Sequence, residues 1–252
     1  VTAVVAQPAP AQVAEGPFEI GYLSEDGAEH RVSLEDAGLV RFESARPVRR
    51  FAARKGQRHL SGVWWCATTS AHVGFESWLE RDHVVALDFD RAVVGIASQP
   101  FWLYWPGAEG RRVSHAPDYF ARRSDGSAVV LDCRPVERRK PADVAQFDAT
   151  SAACASLGWD YRLVGAADPI RTLNLRWLGG YRHPRHWVAS MATALLEAFT
   201  APLPLMGGAE SVGDPVAVLP VLFHLLWRQD LTIDLSVPLH ATSCVRVAED
   251  LR

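Results

Sequence analysis

The chain has 252 residues, 48% of them hydrophobic, a net charge of −3 and four cysteines. That length suits one large domain, or a medium domain with a smaller appendage. No run of about 18 apolar residues exists, so nothing spans a membrane as a helix. Cys66, Cys133, Cys154 and Cys244 lack CxxC spacing and support neither a zinc site nor a disulfide framework, which leaves a reducing, cytoplasmic setting as the expectation.

Residues 1–16 are rich in Ala, Val and Pro without a basic start, and read as a flexible tail. "FEIGYLSEDGAEHRVSL" alternates around Glu25-Asp26-Gly27, the pattern of a hairpin. "SGVWWCATTS" reads as a short strand. "FESWLERDHVVALDF" has helical spacing, with Phe75, Trp78, Leu79, Val85, Ala86 and Phe89 on one side and Glu76 and Glu80 on the adjoining face. "VVGIASQPFWLYW", "RVSHAPDYFARR" and "AVVLDC" predict a three-strand meander, with Ser124–Ser127 as its second turn. Pro141 opens a helix that Gly158 stops, and "WDYRLVG" is a fourth strand.

Beyond this α/β core the chain is mainly helical. Asp168-Pro169 and Asp214-Pro215 each read as an N-cap followed by Pro at the first helical position. "RHWVASMATALLEAF" is a further helix, "PLPLMGGAESVG" a loop, Pro220 a kink, and "LTIDLSVPLHATSCVRVA" a terminal hairpin. Helices closed by a hairpin suggest a winged-helix module, which serves equally for DNA contact or protein docking. The expected division is therefore a tail (1–16), a hairpin and basic segment (17–62), an α/β core (63–166) and a C-terminal helical, winged-helix-like domain (167–252).

The small net charge hides three basic clusters, Ala45–His59, Arg134–Lys140 and Tyr181–Trp187. Together they point modestly to a polyanion, with Arg49, Arg50, Arg54, Lys55, Arg138, Arg139 and Lys140 as expected DNA contacts. Lys55 and Lys140 are the chain's only lysines among 26 basic residues, so arginine stands where other chains use lysine.

Asp118 and Asp132 flank the tight turn at Ser124–Ser127, and antiparallel pairing through that turn brings them near each other. Two neighbouring carboxylates repel unless a cation sits between them. Hard oxygen ligands at that spacing suit Mg²⁺, which acidifies water and polarises phosphate. The bland alternative is a hairpin with charged ends.

In order, "SWLERDHVVALDFD", "QPF", "HAPDYF" and "VVLDCRP" resemble the PD-(D/E)xK nuclease superfamily. The nearest resemblance is to TnsA-type endonucleases, the DNA-cutting subunits of heteromeric transposases, over about Val63 to Gly165. The resemblance implies a restriction-endonuclease-like fold of helix, three-strand meander, helix and strand. It implies metal binding by Glu80, Asp118 and Asp132, with Glu76 as the alternate helix acid. Mn²⁺ would replace Mg²⁺, and Arg134 would stand at the position of the catalytic lysine. Gln99 would steady the strand beside the metal, and the Cys133 carbonyl would be a further ligand. Arginine keeps its charge and binds phosphate through two N–H groups, but does not move protons.

The function so implied is a Mg²⁺-dependent endonuclease cutting double-stranded DNA at transposon ends beside a partner transposase. It would leave 5′-phosphate and 3′-hydroxyl ends, and a homodimer is left open. A catalytically inactive nuclease-fold subunit that binds DNA or assembles a complex is the alternative, with a stand-alone restriction or repair nuclease as a third reading.

Overall fold

The computed structural model describes residues 18–49, 61–107 and 110–249. In chain order the first elements are strands β1 (Glu19–Leu23) and β2 (Glu29–Ser33) and a single turn, α1 (Leu34–Ala37). A second hairpin, β3 (Gly62–Cys66) and β4 (Ala71–Phe75), leads into helix α2 (Trp78–Phe89). Strands β5 (Val93–Ser98), β6 (Trp102–Pro106), β7 (Arg112–His115), β8 (Tyr119–Arg123) and β9 (Ala128–Cys133) precede helix α3 (Pro141–Ser156) and strand β10 (Asp160–Val164). The rest runs α4 (Pro169–Gly179), α5 (Ala189–Ala198), β11 (Leu203–Pro204), α6 (Leu205–Val212), α7 (Pro215–Trp227), β12 (Leu231–Ile233) and β13 (Cys244–Val247).

The chain is thus mixed α/β, and it forms two compact units that do not follow the boundaries expected from sequence. One comprises 1–53 and 92–165, the other 54–91 and 166–252. The expected 63–166 core is therefore divided: the stretch with β3, β4 and α2 groups with the C-terminal elements, and the N-terminal hairpin joins the meander. Among the described residues no helix is long and apolar enough to cross a membrane.

The first unit holds two four-stranded sheets, ordered β2-β1-β6-β7 and β10-β9-β8-β5. The expected meander is broken twice, each time at a proline. "VVGIASQPFWLYW" splits at Gln99-Pro100-Phe101, where Gln99 takes a left-handed φ of 46°. This sends β5 to one sheet and β6 to the other. "RVSHAPDYFARR" splits at Ala116–Asp118 in the same way, so β7 pairs with β6 and β8 with β5 and β9. Proline cannot donate to a strand ladder, so a central strand ends there.

β8 and β9 pair antiparallel around the Ser124–Ser127 turn, and β10 adds parallel to β9 after α3 crosses back. α3 starts at Pro141 and stops at Gly158, whose φ of 69° is a left-handed conformation glycine adopts without steric cost. The unit's core is aromatic at its centre: Phe42 meets Phe101, Phe120 and Trp159 edge-on at ring-centroid distances of 4.9–5.7 Å.

The second unit packs around α7, whose Val218, Val221, Leu222, Leu225 and Leu226 are buried with Leu178, Leu195 and Phe199. α7 runs through Pro220 as one helix. The segment "PLPLMGGAESVG", expected as a loop, instead forms β11 and α6. Gly208 on α6 allows that close packing, because a Cβ there would lie 2.1 Å from the Phe199 ring. The terminal strands form a three-stranded sheet ordered β11-β13-β12. Asn174 of α4, itself buried, donates to the carbonyls of Leu235 and Val237 and so ties down the connection between β12 and β13.

Candidate functional site

Asp118 and Asp132 come together in the first unit. The ladder runs through Phe120↔Val130 to end at Tyr119↔Leu131, and Asp118 and Asp132 are the residues next beyond that end on the two strands. Asp118 Oδ2 accepts from the Cys133 N–H at 2.7 Å, and the Asp118 carbonyl accepts from the Gln99 N–H at 2.8 Å. Gln99 is buried, and its own carbonyl accepts from Val48 N–H. Gln99 acts on this corner through its backbone: its left-handed turn carries the chain out of β5 while its N–H bonds the Asp118 carbonyl.

Asp132 is only 2% exposed. A carboxylate at such a place needs donors, and it has them. His115 Nε2 lies 2.9 Å from both Oδ1 and Oδ2, and the Tyr161 hydroxyl donates to Oδ2 at 2.7 Å. Since an ionised carboxylate only accepts, His115 Nε2 must carry the proton of that bond. Burial, and then the charge of Asp132, push the Tyr161 hydroxyl far above its ordinary range, so it stays a donor. The His115 ring packs edge-on to Phe147 of α3 at 5.9 Å.

Arg134 follows two positions later on β9's path, its N–H bonded to the Val164 carbonyl. Its guanidinium, 42% exposed, donates through Nε and Nη2 to Asp143 Oδ2 at 3.2 and 2.7 Å. Asp143 also accepts from the Lys140 N–H at the start of α3. The Arg134 bond, chiefly, holds the Asp143 carboxyl below the usual carboxylate range. Arg134 therefore has a structural task, fixing the first turn of α3, and retains further N–H donors for an anion.

Glu80 and Glu76 lie in the second unit. Ser77 Oγ accepts from the Glu80 N–H at 3.1 Å, while the Glu80 carboxylate accepts from Ser77 Oγ and from the Glu76 N–H at 2.8 and 2.7 Å. That is a reciprocal cap on α2. The helix begins at Trp78, so Phe75, read from sequence as part of its apolar side, ends β4 instead.

Among the expected DNA contacts, Arg49, Arg138 and Lys140 are exposed, whereas Arg50, Arg54 and Lys55 fall outside the described residues. Arg139 is half-buried and bonds backbone carbonyls of Arg134 and Leu163. Within the third basic cluster, Arg182 donates to the Trp65 and Gly179 carbonyls and stacks 3.5 Å over the Trp64 ring.

Sequence reasoning passed over His115, Tyr161 and Asp143. Asp143 was legible as the third residue of a Pro-started helix, a capping position. His115 and Tyr161 were not, because their approach to Asp132 depends on sheet order and on the parallel register that sets Tyr161 beside Val130. Among the described residues no three or more His, Cys, Asp or Glu side chains are grouped so as to hold a metal ion. The chain matches no known family model and no curated protein.

Proposed function

We propose that this chain is a DNA endonuclease of restriction-endonuclease-like fold, in which Asp118 and Asp132 hold a divalent cation. One observation carries the reading: the Cys133 N–H bond to Asp118 draws that carboxylate to the strand end bearing Asp132. The order β5, β8, β9, α3, β10, with β10 parallel to β9, supports the fold part of the reading, as does the TnsA-like order of motifs in the sequence.

The donor set fits such a cation on one condition. Asp118 and Asp132 offer carboxylate oxygens and Cys133 a carbonyl, the hard ligands Mg²⁺ and Mn²⁺ take. A carboxylate has about four lone-pair positions; His115 and Tyr161 take three of those of Asp132, and His115 stands across both oxygens, where a cation shared between them would sit. A cation therefore needs His115 to yield. When bound, the metal supplies positive charge to a scissile phosphate and acidifies water. Tyr161 fixes the orientation of Asp132, the Cys133 amide fixes Asp118, and Arg134 offers a permanently charged guanidinium to a phosphate oxygen without taking part in proton transfer.

The second unit supports a role beside a partner. Its order α5-β11-α6-α7-β12-β13, with the sheet β11-β13-β12, supports reading it as a winged helix, whose base-reading helix would be α7. Yet α7 contains no Lys or Arg, and Leu173 and Trp177 of α4 stand exposed. Those features favour docking on protein, such as a transposase subunit, over reading bases. The inactive-subunit reading has its own support, since Asp132 and Arg134 already have partners within the fold.

The test is nicking of supercoiled double-stranded DNA in Mg²⁺ and Mn²⁺, with and without a partner transposase, beside Asp118→Ala and Asp132→Ala. Cutting that both substitutions abolish is expected. Identical background nicking by all three proteins in every condition would leave the inactive subunit as the better account.

A further inference from the structure

We infer that His115 is a positioning residue that competes with the cation for Asp132 and thereby sets the metal affinity of the centre. This rests on the metal-centre reading above. Three observations lead to it. First, His115 Nε2 is equidistant, at 2.9 Å, from the two Asp132 oxygens. The proton it donates thus sits astride the carboxylate, in the position a cation would take between them. Second, the two partners of Asp132 differ in how they are held. Tyr161 lies on β10, the direct neighbour of β9 in the same sheet, whereas His115 arrives from the end of β7 in the other sheet.

Third, the three-residue link from His115 to Tyr119 ends at Asp118, so one short connection carries both the competing imidazole and the other proposed ligand. The side chain of His115 is 16% exposed against 3% for Asp132, so it is the partner with a way out to solvent. Tyr161 can keep its single bond to Oδ2 while His115 swings away, and Asp132 then stays oriented with its other positions open. The cation replaces a charge-assisted hydrogen bond instead of filling a vacant corner. Metal binding and retention of the His115 bond exclude each other.

Mn²⁺ titration of the purified full chain, followed by the electron paramagnetic resonance signal of free Mn²⁺, tests this without reference to cutting. His115→Ala removes the competitor. His115→Phe removes the donor but keeps a ring against Phe147, which guards against a folding defect in the first variant. Both are expected to bind Mn²⁺ more tightly than the wild type, on the order of tenfold, the worth of one hydrogen bond to a charged group. Asp132→Ala should abolish binding, alone and combined with His115→Phe. Unchanged affinity in the His115 variants overturns the inference. Weaker affinity overturns it too, making His115 a ligand, and leaves the metal-centre reading standing. If no variant, His115→Phe included, shows Asp132-dependent binding, the metal-centre reading itself falls and takes the inference with it.

Discussion

Both units of this protein bury aspartates, and Asp88 of the second and Asp132 of the first, the most buried in each, are held in different ways. Asp88, 6% exposed, sits at the end of α2 in the second unit. It accepts from the N–H groups of Ala67 and Thr68, from Thr68 Oγ1, from the Trp64 indole and from the Cys66 thiol. Those donors lie on β3 and the turn that follows it, within five consecutive residues, and two are backbone amides with no freedom to leave. Burial, with Asp88 beside it, raises the Cys66 thiol to about 12, which keeps it protonated as a donor. Among the described residues the Asp132 carboxylate is held only by side chains, from two different strands, one of them partly open to solvent. Satisfaction by fixed backbone builds a fold, while satisfaction by exchangeable side chains leaves a carboxylate that can change partners.

That contrast can be broken by stability measurements. Asp88→Ala orphans several buried donors at once, and should cost about 4 kcal/mol or more in urea unfolding. Asp132→Ala orphans the Tyr161 hydroxyl and His115, which can turn to solvent, and should cost about 2 kcal/mol. Equal losses would make Asp132 as structural as Asp88. Tyr161→Phe sharpens the same point: a loss of about 1 kcal/mol is expected, together with weaker Mn²⁺ binding, because Asp132 loses its permanent donor.

The units should also differ in pH response. In the second unit His224 is buried, and desolvation chiefly lowers its pKa despite the bond from Nδ1–H to the Tyr181 carbonyl. The unfolded chain then binds a proton there at a higher pH than the folded one does. Stability contributed by the neutral ring is complete above the ordinary histidine range, and declines as pH falls from about 6.5 toward the lowered value. Melting temperature should therefore drop between neutral pH and pH 5.5. His224→Gln should flatten that slope even if it lowers the whole curve. An unchanged slope would assign the effect to other groups.

How much of this was legible beforehand follows from the range of the signals. The Ser124–Ser127 turn, the opening of α3 at Pro141 and its stop at Gly158 are local, and the structure has each where the sequence placed it. The approach of Asp118 to Asp132 was legible for the same reason, since one tight turn sets the register between them. The breaks at Gln99-Pro100 and Ala116-Pro117 are not legible in the sequence, because strand-forming residues stand on both sides of each proline. Only pairing with β1, residues distant in sequence, shows that β6 and β7 belong to another sheet. α6 was missed for a different reason. Its Gly207 and Gly208 are poor helix formers, and the packing of Phe199 against Gly208 that offsets this is tertiary.

Glu80 gives the smallest and most discriminating effect. Its carboxylate closes the cap of α2 by accepting from Ser77 Oγ and the Glu76 N–H. Glutamine in its place keeps a carbonyl oxygen for one of those bonds and loses the charge that favours a helix N-terminus. Glu80→Gln should thus cost about 0.5 kcal/mol, read as a melting temperature roughly 1–2 °C lower, with Mn²⁺ affinity unchanged. The sequence pattern gives Glu80 a different task, as the helix acid of the metal centre. That task would announce itself as lost Mn²⁺ binding and lost nicking in a protein of nearly wild-type stability. Because the cap effect is so small, the two roles separate cleanly in one variant.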